Sequence, residues 1–229
     1  SRARQNDVLR HQDDDETLKE LNSLARELYI SVSIGSLAVK TDDPDGRFAN
    51  RSFLINPSGH IVGQYDKIHM FDVQISETET YRESAGYRPG DRAVVADTAL
   101  GKIGMAICYD MRFPLLANAL AQAGAKILLY PSAFSPVTGV AHWHSLLRAR
   151  AIETGCYVIA AAQTGTHPTT GSKARTTYGH SLVVDPWGEV VLDAGVDAGV
   201  YAFDIEMDNV AKARQKVPSL LNARSFLAP

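Results

Sequence analysis

The sequence has little cysteine, no long hydrophobic run and no large excess of charge of either sign. Two cysteines among 229 residues are too few for a disulfide framework or a cysteine-rich metal cluster, and free thiols suit a reducing, cytoplasmic compartment. No apolar run approaches the roughly 20 residues of a membrane-spanning helix. The formal net charge of −3 gives no electrostatic basis for binding nucleic acid or an anionic membrane. What remains is the composition of an ordinary globular protein, 45% hydrophobic and 21% charged.

Alternating helix and strand patterns run through the chain and predict a single domain over residues 1–229. The predicted helices are 15–29, 114–125, 142–155 and 208–216. The predicted strands are 30–39, 126–134 and 156–163, and the predicted hairpins are 51–65, 92–108 and 178–195. Hairpins among helices indicate a mixed rather than a purely parallel sheet. The segment 165–177 is interpreted as a surface loop, and the acidic run 13–16 as the solvated start of a helix rather than a metal site.

Cys108 lies in an unusual context, because an apolar strand pattern ends on it and turns at once into Tyr-Asp-Met-Arg. A free cysteine is most often a small buried hydrophobe. A nucleophile, however, works well at the end of a strand, where the following turn offers backbone N–H groups to a developing oxyanion. We expect Asp110 and Arg112 to hold that turn by an ion pair, and Pro114 to begin a helix. Cys156 has no polar neighbours of this kind and is interpreted as a core residue.

A nucleophilic thiol needs a base, because only a small fraction is thiolate at neutral pH. The seven histidines show no pair at the helical i, i+4 spacing of zinc ligands, and a cysteine–histidine site stays open without a local signature for it. Lys67 stands beside apolar Ile68, where it is either a functional cation or a surface lysine with a buried stem. Glu83 is by itself an ordinary loop carboxylate.

Several long motifs resemble those of the nitrilase superfamily, the carbon–nitrogen hydrolases, in the order the family has them. They are KIGMAICYDMRFP, YDKIHMFDV, YPSAFSPVTGVAHWHSLLRARAIETGCYVIAAAQTG and YGHSLVVDPWGEVV. The resemblance extends from about Leu18 onward and is greatest to the Nit-type amidases, in particular to the enzymes that hydrolyse deaminated glutathione.

The resemblance implies a Glu-Lys-Cys site in which Cys108 is the nucleophile. Lys67 and the backbone N–H of Tyr109 would stabilise the oxyanion, and Glu83 would position the lysine or the substrate nitrogen. The pocket is expected to include Phe134, His142 and Trp143 on the loop that follows the strand 126–134, although packing at a helix start accounts for them equally well. Neither a metal nor an organic cofactor is needed for this chemistry.

The sequence departs from the family pattern at two places. The family's general-base glutamate has no counterpart here, and it would lie before Ser1; we expect the chain to lack the first strand–helix–strand piece of the domain, the alternative being a degenerate member. His144 stands where relatives usually have glutamate after the tryptophan, and it either shapes the pocket or faces solvent.

The resemblance also implies a fold and a function. The expected fold is a four-layer α-β-β-α sandwich of mixed α/β class that forms a homodimer or larger homo-oligomer. The expected function is cysteine-dependent hydrolysis of a small linear amide through a thioester, with deaminated glutathione as the leading substrate. The alternatives are an ω-amidase acting on 2-oxoglutaramate, another amide, nitrile or carbamoyl hydrolase of the superfamily, and a non-catalytic binding protein without the base.

Overall fold

The structure, a computed structural model, describes residues 2–77, 79–168 and 174–227. Its helices are α1 Arg2–Val8, α2 Glu16–Leu28, α3 Pro114–Gln122, α4 Pro136–Thr154, α5 Asp208–Lys216 and α6 Ser219–Asn222. Its first strands are β1 Val32–Val39, β2 Ala49–Ile55, β3 Ile61–Asp66, β4 Asp72–Ser76, β5 Glu79–Arg82, β6 Val94–Thr98 and β7 Gly101–Met105. The later strands are β8 Ile127–Leu129, β9 Tyr157–Ala160, β10 Thr164–His167, β11 Arg175–Tyr178, β12 Leu182–Val184 and β13 Val190–Asp193.

Two sheets form the centre of the protein. The first has three antiparallel strands in the order β1-β2-β3. The second has six strands in the order β13-β12-β9-β8-β7-β6, in which β7, β8 and β9 are parallel and the outer pairs are antiparallel. The predicted mixed sheet is therefore confirmed.

Three groups of buried side chains divide the structure into four layers. One group joins α2 to the first sheet, a second lies between the two sheets, and a third joins α3 and α4 to the second sheet. Between the sheets Gly63 leaves no room for a side chain, because a Cβ there would lie 2.8 Å from the Met105 sulfur. The expected α-β-β-α arrangement is confirmed.

Local sequence explains where the helices begin and end. Asp15, in the acidic run 13–16, accepts a hydrogen bond from the Leu18 N–H at 2.9 Å and so caps the start of α2. Proline occupies the first position of α3 and of α4, where its missing N–H costs no helical hydrogen bond. Gly155 ends α4 with a φ of 59°. No helix within the described ranges is long and apolar enough to cross a membrane.

Two of the predicted segments take a different form in the structure. The expected surface loop 165–177 contributes to the hairpin β10–β11, although 169–173 lie outside the described residues. Helix α4 begins at Pro136 rather than at 142, which puts His142 and Trp143 on a helix and not on a loop. The sequence hides this start because Val137, Thr138 and Gly139 are weak helix formers. Packing outweighs that weakness: a Cβ on Gly139 would lie 2.3 Å from the ring of Tyr178, so the helix approaches β11 closely there.

Candidate active site

Cys108 begins a short 3₁₀ turn, Cys108–Arg112, three residues after β7 ends. Its φ is 48°, in the left-handed region that a non-glycine residue adopts at a cost of about 1–3 kcal/mol. Its own N–H donates to the Pro131 carbonyl at 3.0 Å, which fixes the backbone at this point. The Tyr109 N–H follows in the first turn, where helical N–H groups have no acceptor within the helix. The thiol of Cys108 therefore lies on a strained backbone at a strand–helix junction, beside the Tyr109 N–H.

The turn is held by Asp110, a fully buried carboxylate. One of its oxygens accepts from the Tyr65 hydroxyl at 2.7 Å and from the Ile107 N–H at 2.8 Å. The other accepts from the His69 N–H at 3.1 Å and lies 2.7 Å from His69 Nδ1. Burial, followed by the charge of Asp110, raises the pKa of Tyr65, so its hydroxyl stays a donor.

The predicted ion pair between Asp110 and Arg112 is wrong. The Arg112 guanidinium instead lies 3.1 Å from His142 Nδ1 and over the rings of Tyr109 and Phe134, at 6.0 and 5.6 Å from their centroids. A buried carboxylate needs several hydrogen-bond donors at close range. For Asp110 these donors are Tyr65, His69 and the Ile107 N–H, and not the adjacent Arg112.

Lys67 and Glu83 form an ion pair with an Nζ–Oε2 distance of 2.5 Å. The Lys67 residue is only 3% exposed, so it is not the surface lysine that the sequence left open. The same Glu83 oxygen accepts from the Phe71 N–H at 2.6 Å, and Oε1 accepts from the Asn50 side chain at 3.1 Å. Three donors therefore fix the carboxylate, and the carboxylate fixes the ammonium.

The thiol of Cys108 is subject to opposing effects. Burial raises its pKa, while the Lys67 ammonium, the Ala133 N–H and the Ser132 hydroxyl lower it, and the Glu83 charge raises it again. Burial outweighs the rest, so the thiol holds its proton more firmly than an ordinary cysteine does. Reaction at neutral pH then requires a group that removes this proton.

Cys108 opens into a cavity of about 910 Å³. Five of the seven residues predicted for the site line it, namely Cys108, Lys67, Glu83, Tyr109 and Phe134. Glu83 is the only carboxylate among the described residues that line this cavity. The base expected before Ser1 stays a prediction, as does the expectation that no metal or cofactor is required.

His142 and Trp143 are not among the described residues that line the cavity. Trp143 is fully buried, donates from Nε1 to the His180 carbonyl at 2.8 Å and lies with its ring centroid 5.0 Å from that of Phe134. It supports the cavity wall from behind. His142 is exposed and contacts Arg112. The interpretation as packing, which the sequence left open, describes Trp143.

The sequence reasoning missed several residues of the cavity. Asn50 and Phe71 hold Glu83, and Arg82 and Arg175 bring positive charge to the lining. The arginines belong to two short hairpins, β4–β5 and β10–β11, that the strand pattern did not predict. The one available signal was the clustering of Tyr81, Arg82 and Glu83, aromatic and charged residues that a turn does not need.

His144 neither lines the cavity nor lies alone in solvent. Its Nε2 is 2.9 Å from Asp193 Oδ2, and Nδ1 of His180 is 2.9 Å from Oδ1 of the same carboxylate.

Cys156 is fully buried and lies against Ala125 and Arg214, which confirms the interpretation as a core residue.

Comparison with known proteins identifies the family of the chain. The sequence profile of the family described as "Carbon-nitrogen hydrolase" matches residues 3–215. A deaminated glutathione amidase of Mus musculus is 46% identical over 213 residues, which are 92% of this chain and 65% of the relative. One of Yersinia enterocolitica is 40% identical, over 92% of this chain and 73% of the relative. The chain thus spans about two thirds of the length of the mouse protein.

Two solved structures are similar in sequence and in shape. The NitFhit protein of C. elegans is 39% identical and has a TM-score of 0.81, covering 92% of this chain and 50% of that one. A branch 10 nitrilase-superfamily protein of Saccharomyces cerevisiae is 34% identical, with a TM-score of 0.76 over 88% of this chain and 69% of the other.

Proposed function

Because the chain belongs to the carbon-nitrogen hydrolase family, we propose that it hydrolyses a small linear amide, with deaminated glutathione as the leading substrate. The observation that carries the proposal is that the thiol of Cys108, on a strained backbone, lies in one cavity with the Lys67–Glu83 ion pair. Relatives at 40–46% identity that carry the name deaminated glutathione amidase support the choice of substrate.

The first half of the proposed reaction acylates the enzyme. The family's general-base glutamate, which is not Glu83, removes the thiol proton, and the sulfur attacks the amide carbonyl carbon. The charge on the carbonyl oxygen is met by the Lys67 ammonium and the Tyr109 N–H; one such donor contributes about 3–4 kcal/mol to lowering the barrier. The tetrahedral intermediate collapses as the amine takes a proton and leaves, and a thioester on Cys108 remains.

The second half releases the acid. Water, deprotonated by the same carboxylate, attacks the thioester carbonyl, and the thiol leaves with a proton. Lys67 and Tyr109 again serve the oxyanion, so one site performs both steps. Glu83 holds Lys67 throughout, and with three donors on its oxygens it is poorly suited to accept the thiol proton itself.

The charges of the cavity favour deaminated glutathione over 2-oxoglutaramate. Deaminated glutathione carries a carboxylate at each end, whereas 2-oxoglutaramate carries one. Arg82 and Arg175 both line the cavity and are exposed to solvent, as residues that receive an anionic substrate must be. A cavity of about 910 Å³ is also large enough for a tripeptide-sized molecule.

The test is a comparison of two products. The natural gene product is incubated with each compound, and cysteinylglycine release from deaminated glutathione is compared with ammonia release from 2-oxoglutaramate. We expect the first reaction to be the faster; faster turnover of 2-oxoglutaramate would favour the ω-amidase. No turnover of either compound, with both still binding, would favour a non-catalytic binding protein.

A matched pair of variants tests the nucleophile. Cys108→Ala is expected to abolish turnover, and Cys156→Ala only to loosen packing. Acrylamide, which reacts with thiols, is expected to label Cys108 before Cys156, as mass spectrometry of digested protein would show. Turnover by Cys108→Ala comparable to that of the unchanged protein would rule out the mechanism.

The proposal extends to assembly and location. We propose a homodimer or larger homo-oligomer, because α3 and α4 expose large apolar side chains, among them Leu115 and Val140 at 85% and 78% exposure. Light scattering of the purified protein tests this.

The two free cysteines support a reducing, cytoplasmic location.

A further inference from the structure

We propose that His144, His180 and Asp193 form a binding site for one divalent transition-metal ion, with Zn²⁺ as the ion of first choice. The three residues come from different elements: His144 from α4, His180 from the turn before β12, and Asp193 from the end of β13. None of them has a role in the proposed hydrolysis. The site is therefore separate from the cavity that contains Cys108.

The geometry brings the three side chains to one point. One ligand atom from each residue lies within 4.8 Å of the other two. The Asp193 carboxylate is 2.9 Å from His144 Nε2 and 2.9 and 3.1 Å from His180 Nδ1. Ligand atoms around a tetrahedral zinc ion are about 3.3 Å apart, given metal–ligand distances of about 2.0–2.2 Å. The two carboxylate–imidazole distances need to lengthen by only about 0.4 Å to reach this spacing, and the two imidazole nitrogens, which lie within 4.8 Å of each other, need to adjust by about 1.5 Å at most.

The chemistry of the ligands selects the ion. Two imidazole nitrogens and one carboxylate oxygen suit zinc and its neighbours, whereas calcium and magnesium prefer sites made of oxygen alone. Three protein ligands leave a fourth position for water. The side chains are 37%, 26% and 33% exposed, so an ion can enter from solvent.

The carboxylate is prepared for this role. The Gly195 N–H donates to Oδ1 at 2.9 Å and orients the group, as partners behind a metal ligand commonly do.

A bound ion would join parts of the structure that form one wall of the cavity. His144 follows Trp143, whose indole donates to the His180 carbonyl, and His180 precedes Ser181, which lines the cavity. A metal bridge would fasten α4 to the β12–β13 hairpin at this place. The expected consequence is higher stability.

Zinc titration of the chelator-treated protein tests the proposal, with calorimetry as the readout. Because the Cys108 thiol can itself hold zinc, the measurements use Cys108→Ala as the parent protein. We expect one saturable site, and an apparent melting temperature about 5–10 °C higher at a hundredfold excess of zinc over its dissociation constant. Co²⁺ should give the absorption bands of a tetrahedral site with nitrogen and oxygen ligands.

Variants in the same parent locate the ion. His144→Gln and Asp193→Asn keep the size of each side chain and should weaken binding at least a hundredfold. His60→Gln removes an exposed histidine in the β2–β3 turn and should leave binding unchanged. Circular dichroism of each metal-free variant controls for folding. The absence of saturable binding by the parent, or equal binding by His144→Gln, would overturn the proposal.

Discussion

The Lys67 ammonium and the Glu83 carboxylate lie 2.5 Å apart, with side chains 4% and 14% exposed, and the Phe71 N–H donates to the same carboxylate oxygen. An exposed pair of this kind would contribute little. Here Lys67, only 3% exposed, would be a buried charge without this counter-charge, and Glu83 is itself fixed by the Phe71 N–H and the Asn50 amide, so the pair fixes the position of the ammonium.

Replacing Glu83 by Gln should therefore release Lys67 from its position. We expect kcat to fall by about 10²–10³, the loss typical of one oxyanion donor, while the overall fold is kept. Steady-state kinetics with deaminated glutathione measure the change. Glu189→Gln, on an exposed turn residue, is the matched control. Wild-type kcat in Glu83→Gln would show that the pair is structural.

Asp110→Asn should lower the free energy of unfolding by about 3 kcal/mol, because an amide cannot accept hydrogen bonds on both sides as the carboxylate does. The Ile107 and His69 N–H groups lie on opposite oxygens, so one of them loses its acceptor. Urea unfolding measures the difference, and Asp91→Asn on the exposed surface serves as the control. A loss below about 1 kcal/mol, no larger than an ordinary hydrogen bond, would contradict the bracing role of Asp110.

The alkylation of Cys108 should depend on pH in a definite direction. Because burial raises the pKa of the Cys108 thiol above that of an ordinary cysteine, its thiolate forms only at higher pH. In the substrate-free protein the rate of reaction with acrylamide should still be rising where that of a small free thiol has levelled off. Mass spectrometry of the Cys108 peptide gives the rate at each pH. A plateau reached at a lower pH than that of the small free thiol would indicate an activated thiolate instead.

Arg175→Gln should lower kcat/KM for deaminated glutathione by about 10–100-fold, because a hydrogen bond to a charged group is lost. The loss should appear mainly in KM, since Arg175 is proposed to bind a substrate carboxylate and has no part in the proposed thiol chemistry. Arg88→Gln, exposed and outside the cavity lining, should change neither constant. Equal losses for the two variants would point to a general effect of net charge.

Much of the fold followed from local pattern. Leu18 and Ala25 repeat at helical spacing and are buried in α2, and the hairpins on 51–65 and 178–195 formed around their turn residues. Helix α5 spans 208–216, as predicted. Such elements are predictable because helical spacing and turn residues are patterns within a few residues of sequence. The hairpins β4–β5 and β10–β11 gave no such signal, because each strand is short and polar.

The sequence by itself determined the order of the elements, the position of Cys108 after an apolar strand and the family to which the chain belongs. Periodicity, turn residues and long motifs are properties of neighbouring residues, so they can be read without coordinates. The tertiary structure alone decided that Asp110 meets Tyr65 and His69 instead of Arg112, and that His144, His180 and Asp193 converge. These contacts join residues 13 to 49 positions apart, and only the packing of layers against each other brings them within hydrogen-bond distance.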